Sequence, residues 1–154
     1  MRDGYQQGIW VLTKEEPSTW RRSVYSYWKR GLKYPMFEVF DQPDLNVTCE
    51  RRNVTTVPTQ ALTLLNNEFV LIQARYFAER VMSEAAASPA RQIEDLYRIA
   101  LSRPPAQKEL ESQLAFLRKQ REYHVARASG SADLAALTDV AHVVLNSNEF
   151  VYID

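Results

Sequence analysis

Between Phe40 and Val70 the chain gathers the residues best equipped for chemistry: Asp41, Asp44, Cys49, Glu50, Arg51, Arg52, Thr56 and Gln60. Two carboxylates three positions apart are able to hold a hard cation through oxygen ligands, or to divide acid and base roles between them. The guanidinium pair Arg51 and Arg52 suits a carboxylate or phosphate gripped bidentately, and cations beside a thiol are what a nucleophilic Cys49 would need. The same residues have a plainer use. Aspartates around Pro43 shape a turn through side-chain bonds to nearby backbone N–H groups, the arginines neutralise them, and a lone cysteine packs as a small hydrophobe. Both readings stay open for the candidate cluster Asp41, Asp44, Cys49, Arg51, Arg52, Thr56 and Gln60, and no catalytic or metal-ligating residue is assigned.

Other chemistries find little support. A single cysteine excludes an internal disulfide, a CxxC redox pair, a CxxCH haem attachment and a multi-cysteine zinc site. His124 and His142 are the only imidazoles, and neither has an HxxxH or HxxE partner. There is no GxSxG elbow, and four glycines include no phosphate-binding loop. A basic and aromatic stretch, Trp20 to Lys33, interleaves Arg21, Arg22, Lys29, Arg30 and Lys33 with Trp20, Tyr25, Tyr27 and Trp28. Such a surface is able to stack bases, but it serves equally as a core strand with snorkelling charges or as a docking face. With 19 basic and 19 acidic residues the net charge is zero, so nucleic acid is not expected.

The elements that must position these residues are mostly helical. A chain of 154 residues, 45% hydrophobic and 25% charged, is the size and composition of one ordinary globular domain, and no apolar run approaches the ~20 residues of a membrane helix. Residues 1–19 read as an irregular lead-in from a missing upstream region, and 20–154 as a single mostly helical domain. Alternation over 20–34 favours a strand, with a short amphipathic helix as the alternative. One helical turn over 36–40 leads into the Asp41–Asp44 turn and an extended segment, 46–52. Thr55 or Thr56 is placed to cap a helix over 58–66 that opens on Pro58. Asn67 caps a longer helix, 68–86, with Val70, Ala74, Phe77 and Val81 in one row and Phe69, Ile72 and Tyr76 in another.

Ser88–Pro89 starts a helix carrying Ile93, Leu96, Tyr97, Ala100 and Leu101, which SRPP ends. The next, 106–125, turns Leu110, Leu114 and Leu117 inward and leaves Lys108, Glu109, Glu111, Arg118, Lys119 and Arg121 on a solvated face. After a loop at 126–132, a helix over 132–146 buries Leu134, Leu137, Ala141, Val144 and Leu145, and a short tail closes the chain. The expectation is a mainly α fold, a small bundle of about five helices with a short extended N-terminal segment. ALTLLNNEFV at 61–70 resembles AHVVLNSNEFV at 141–151, which points to a shared way of leaving a helix through asparagine, or to a duplication.

The blocks RRSVYSYWKR, FDQPD, CERRNVTTVPTQALTLLNNEFV, IALSRPPAQKELE and VVLNSNEFVYID, in that order, resemble the planctomycete-type cytochrome-c-associated C-terminal domain, a family of unknown function. The resemblance covers about 20–154 and implies a carboxy-terminal piece of a large exported protein. It implies an extracytoplasmic location, a haem module upstream rather than in this chain, and as partners that upstream domain or its cytochrome. Its pattern falls on Arg21, Arg22, Asp41, Asp44, Cys49, Arg51, Arg52, Thr55, Gln60, Arg103, Asn146, Glu149 and Phe150, with no catalytic role attached. Ala106 stands where the family commonly has threonine or serine, a loss of about 1 kcal/mol of capping. The expected function is a structural or interaction module; the alternative is a fragment of a metal-assisted hydrolase, or of an oxidoreductase acting on polysaccharide, whose site is shared with an upstream domain.

Overall fold

Asparagine, serine and proline at the right places decide where this chain turns helical, and the computed structural model shows seven α-helices among the residues it describes: 5–6 and 9–10 (backbone), 17–26, 33–43, 48–51, 55, 57–84, 88–127 and 130–152. Contacts divide the chain into two compact units, 1–63 and 64–154.

The first unit opens with a two-residue antiparallel pairing inside the lead-in, β1 (Tyr5–Gln6) with β2 (Ile9–Trp10), in the register Tyr5 to Trp10 and Gln6 to Ile9. Short 3-10 turns follow at Pro17–Thr19 and Ser23–Tyr25. The second corrects the strand expected over 20–34 where that stretch is described. The Tyr25 N–H reaches the Arg22 carbonyl at 2.8 Å and the Ser26 N–H reaches Ser23 at 3.1 Å, so local turn bonds take the donors a ladder would need. Residues 27–32 lie outside the described residues.

Helix α1 (Pro35–Val39) begins on proline and ends at a left-handed residue, Asp41, with φ 55°. The Gln42 N–H bonds to Phe37 O at 3.0 Å and the Asp41 N–H to Glu38 O at 3.3 Å, the paired bonds of a Schellman exit. Aspartate is one of the few non-glycine residues that accept this conformation readily. Helix α2 (Pro58–Asn66) has the expected boundaries.

In the second unit the helices are α3 (Glu68–Glu84), α4 (Pro89–Leu101), α5 (Gln107–Ala126), α6 (Ala132–Leu145) and α7 (Asn148–Val151). The Asn67 side-chain oxygen accepts from the Phe69 N–H at 2.9 Å, and the Ser131 hydroxyl accepts from Leu134, so both expected caps are in place. The core forms where Ala74, Ala78 and Val81 of α3 meet Leu137, Val140 and Ala141 of α6, with Leu96 of α4. Two alanines one turn apart let the backbones approach closely. A second cluster joins Ile93 and Tyr97 of α4 to Val144 of α6, with Leu110, Leu114 and Leu117 of α5 packed against it.

Each fully buried aliphatic side chain, Ile93, Leu96 and Leu137 among them, contributes about 1.5–3 kcal/mol. Tyr76, expected on the apolar face of α3, is instead half exposed, because the burying face follows Ala74, Ala78 and Val81. The tail also holds more structure than expected. The Ser147 hydroxyl accepts from the Phe150 N–H at 3.3 Å and starts α7.

Candidate functional site

Among the described candidates, Asp41, Cys49 and Gln60 are drawn into bonds with the backbone. The Asp41 carboxylate accepts from the Thr55 N–H at 2.8 Å and from the Thr55 hydroxyl at 2.7 Å, both through Oδ2. Aspartate thus does at this corner what glycine would not: its backbone closes α1 and its side chain ties the segment 14 residues onward. Thr55, one of the two expected caps of α2, donates its hydroxyl to Asp41, and the other, Thr56, lies outside the described residues. That helix start is held from the other direction, because the Val57 N–H donates to Gln60 Oε1 at 3.4 Å, the glutamine half of a capping box. Gln60 is buried, at 4% exposure, and its amide nitrogen donates to the Val39 carbonyl at 3.1 Å. One side chain therefore joins the end of α1 to the start of α2.

Cys49 is exposed rather than packed as the small hydrophobe expected, and its thiol donates to the carbonyl of the equally exposed Arg51 at 3.1 Å. Asp44, Arg52 and Thr56 lie outside the described residues. Among the candidates, then, Asp41 and Gln60 both bind the α1–α2 connection, and neither is brought to an open cleft by the bonds it makes. No group of three or more His, Cys, Asp or Glu side chains suited to a metal ion occurs among the described residues.

The densest polar cluster among the described residues is in the second unit, where Arg103 follows the left-handed Ser102 (φ 57°) that ends α4. All five guanidinium N–H donors are engaged. Nε and Nη2 grip Glu149 at 2.6 Å each, Nη1 and Nη2 grip Glu109 at 2.8 and 2.9 Å, and Nη1 also donates to Pro104 O at 3.1 Å. The guanidinium carbon lies 5.6 Å from the centre of the Tyr97 ring. Glu109 also accepts from the Ala106 N–H at 2.6 Å. Since alanine has no side-chain acceptor, α5 keeps only the glutamate half of its capping box, as α2 keeps only the glutamine half.

Charge follows this geometry. Hydrogen bonds from Arg103, then from the Ala106 N–H, hold Glu109 down to about 2. Hydrogen bonding from Arg103 lowers Glu149 as well, and the two carboxylates, Glu109 first, raise Arg103 further above its already high value. Burial pushes the Tyr97 phenol up. Arg121 stays on the solvated face expected of it, whereas Glu109 leaves it. Glu109 serves this fork, while Arg121 forms an exposed pair with Asp133 at 2.6 Å. His124 Nε2 lies 2.7 Å from Asp139, joining the end of α5 to α6. The Ala106–Glu109 spacing is the local signal that points to Glu109; nothing local points to Glu149, 46 residues from Arg103.

Among known proteins, residues 3–117 match the family model described as "Protein of unknown function (DUF1553)", PSD1. No curated protein matches the chain, and no solved structure does. No helix among the described residues is long and apolar enough to cross a membrane.

Proposed function

From the premise that the chain belongs to this family of proteins of unknown function, DUF1553, we propose that it acts as the C-terminal structural or interaction module of an exported, cytochrome-associated protein. The observation that carries the reading is the use made of Asp41 and Gln60. A catalytic acid or base must present its proton-carrying atom to substrate. Here the Asp41 carboxylate is bonded to Thr55, and the Gln60 amide is buried between two backbone groups. The cytochrome association and export rest on the resemblance of blocks such as FDQPD and LNSNEFV, and the haem is assigned to an upstream module of the parent protein.

The test has two parts. The gene region encoding the residues upstream of this chain is expected to specify a secretion signal and a CxxCH haem-attachment motif. The purified chain is then titrated into that upstream haem module while the Soret band is followed. Saturable binding at one-to-one stoichiometry supports the reading; an upstream region lacking CxxCH, or a module that leaves the chain unbound, overturns it.

A further inference from the structure

The unit 64–154 contains a cavity of about 610 Å³ where α3, α4, α5 and α6 contribute lining residues. Its size is within the ~300–1,000 Å³ of small-molecule sites. The wall is graded along α5. Leu114, Leu117, Arg118 and Arg121 follow one another at i, i+3, i+4 and i+7, a single stripe of a 3.6-residue helix. Leu114 and Leu117 pack against the core, whereas Arg118 and Arg121 are exposed. At 1.5 Å per residue the stripe passes from apolar to cationic over about 10 Å. Met82 of α3 and the buried Ala136 of α6 add to the apolar lining.

Electrostatics favour an anion at the cationic end. Helices α4 and α6 bring their first turns to the cavity through Pro89 and Asp133, and helix N-termini carry partial positive charge. The Ser88 side chain makes no capping bond to α4. Asp133 is the one carboxylate in the lining, and Arg121 is paired with it at 2.6 Å. Two guanidiniums against one carboxylate leave one positive charge, which the geometry puts at Arg118.

We propose that this cavity binds an apolar monocarboxylic acid, its carboxylate on Arg118 and its alkyl chain against Leu117, Leu114 and the Met82 and Ala136 side chains. The full 154-residue chain is titrated calorimetrically with decanoate below its micellar concentration, in parallel with decanol and decylamine. The expected result is one decanoate per chain, bound about tenfold more tightly than decanol, with decylamine weakest. Methyl resonances of Leu114 and Leu117 shift on addition. Arg118→Glu, an exposed position whose change leaves the circular dichroism unaltered, removes the preference for decanoate over decanol, and Arg118→Gln reduces it. Absence of binding, a preference for decylamine, shifts confined to other methyls, or an Arg118→Glu variant that still prefers decanoate would each overturn the proposal.

Discussion

Two corners of this protein, one in each unit, are built to the same local plan and held by different forces. After α1 the chain turns through left-handed Asp41, and after α4 through left-handed Ser102. Each corner leads to a helix whose first N–H is met from inside by the residue three positions on, Gln60 for Val57 and Glu109 for Ala106. At the first corner the binding groups are a neutral amide and one carboxylate on a threonine. At the second they are a guanidinium between two carboxylates. Backbone geometry fixes where a corner's polar residues must stand, and their charge then decides how the corner responds to pH.

The largest effect is expected from Arg103→Leu, which removes five donated hydrogen bonds and leaves Glu109 and Glu149 without their shared counter-charge. The thermal midpoint, followed by far-UV circular dichroism, should fall further than for any change below. Acid sharpens this test. Glu109 and Glu149 have folded values below the unfolded one, so their stabilisation is present above the ordinary value of 4.5 and lost as pH falls below it, for Glu109 towards about 2. Native protein should lose stability across that window, and Arg103→Leu should show a flatter loss. A variant with the native acid profile would contradict the fork's role.

Gln60→Leu comes next, because it leaves the Val39 carbonyl and the Val57 N–H without their partner, a cost of about 1–3 kcal/mol. All three tryptophans, Trp10, Trp20 and Trp28, belong to the first unit, so their fluorescence in urea reports on that unit rather than on the second. Asp41→Gly keeps a residue suited to φ 55° while deleting the carboxylate, and should cost about 1–2 kcal/mol by the same readout. Smallest is Ala106→Ser, a gain of about 0.5–1 kcal/mol, since a hydroxyl at the start of α5 completes the box that Glu109 half fills. A neutral outcome would mean that Glu109 alone satisfies this helix start.

Much of the helical framework was legible because helix ends carry chemical marks. Pro58 and Asn66 bound α2 as expected, Asn67 and Ser131 cap as expected, and α3 to α6 end within two residues of their anticipated limits. The likeness between 61–70 and 141–151 also had a physical basis. In both, a helix exits through asparagine, and the next residue caps a new helix over Glu-Phe-Val, Asn67 in one case and Ser147 in the other. The alternation misled over 23–25, because exposed Val24 and Tyr25 sit on a three-residue turn whose N–H groups are satisfied locally. The candidate site was legible as a polar corner but not as a catalytic one. Which atoms Asp41 and Gln60 reach depends on an approach of segments that spacing does not specify, and the same holds for Arg103 and Glu149.

The central claim, that Asp41 and Gln60 are spent on holding the α1–α2 corner, is tested most directly by a double-mutant cycle on Asp41→Gly and Thr55→Val, with urea unfolding followed by tryptophan fluorescence. The account predicts a coupling of about 1 kcal/mol between the two positions. Strictly additive losses, or single variants as stable as the native chain, would contradict it.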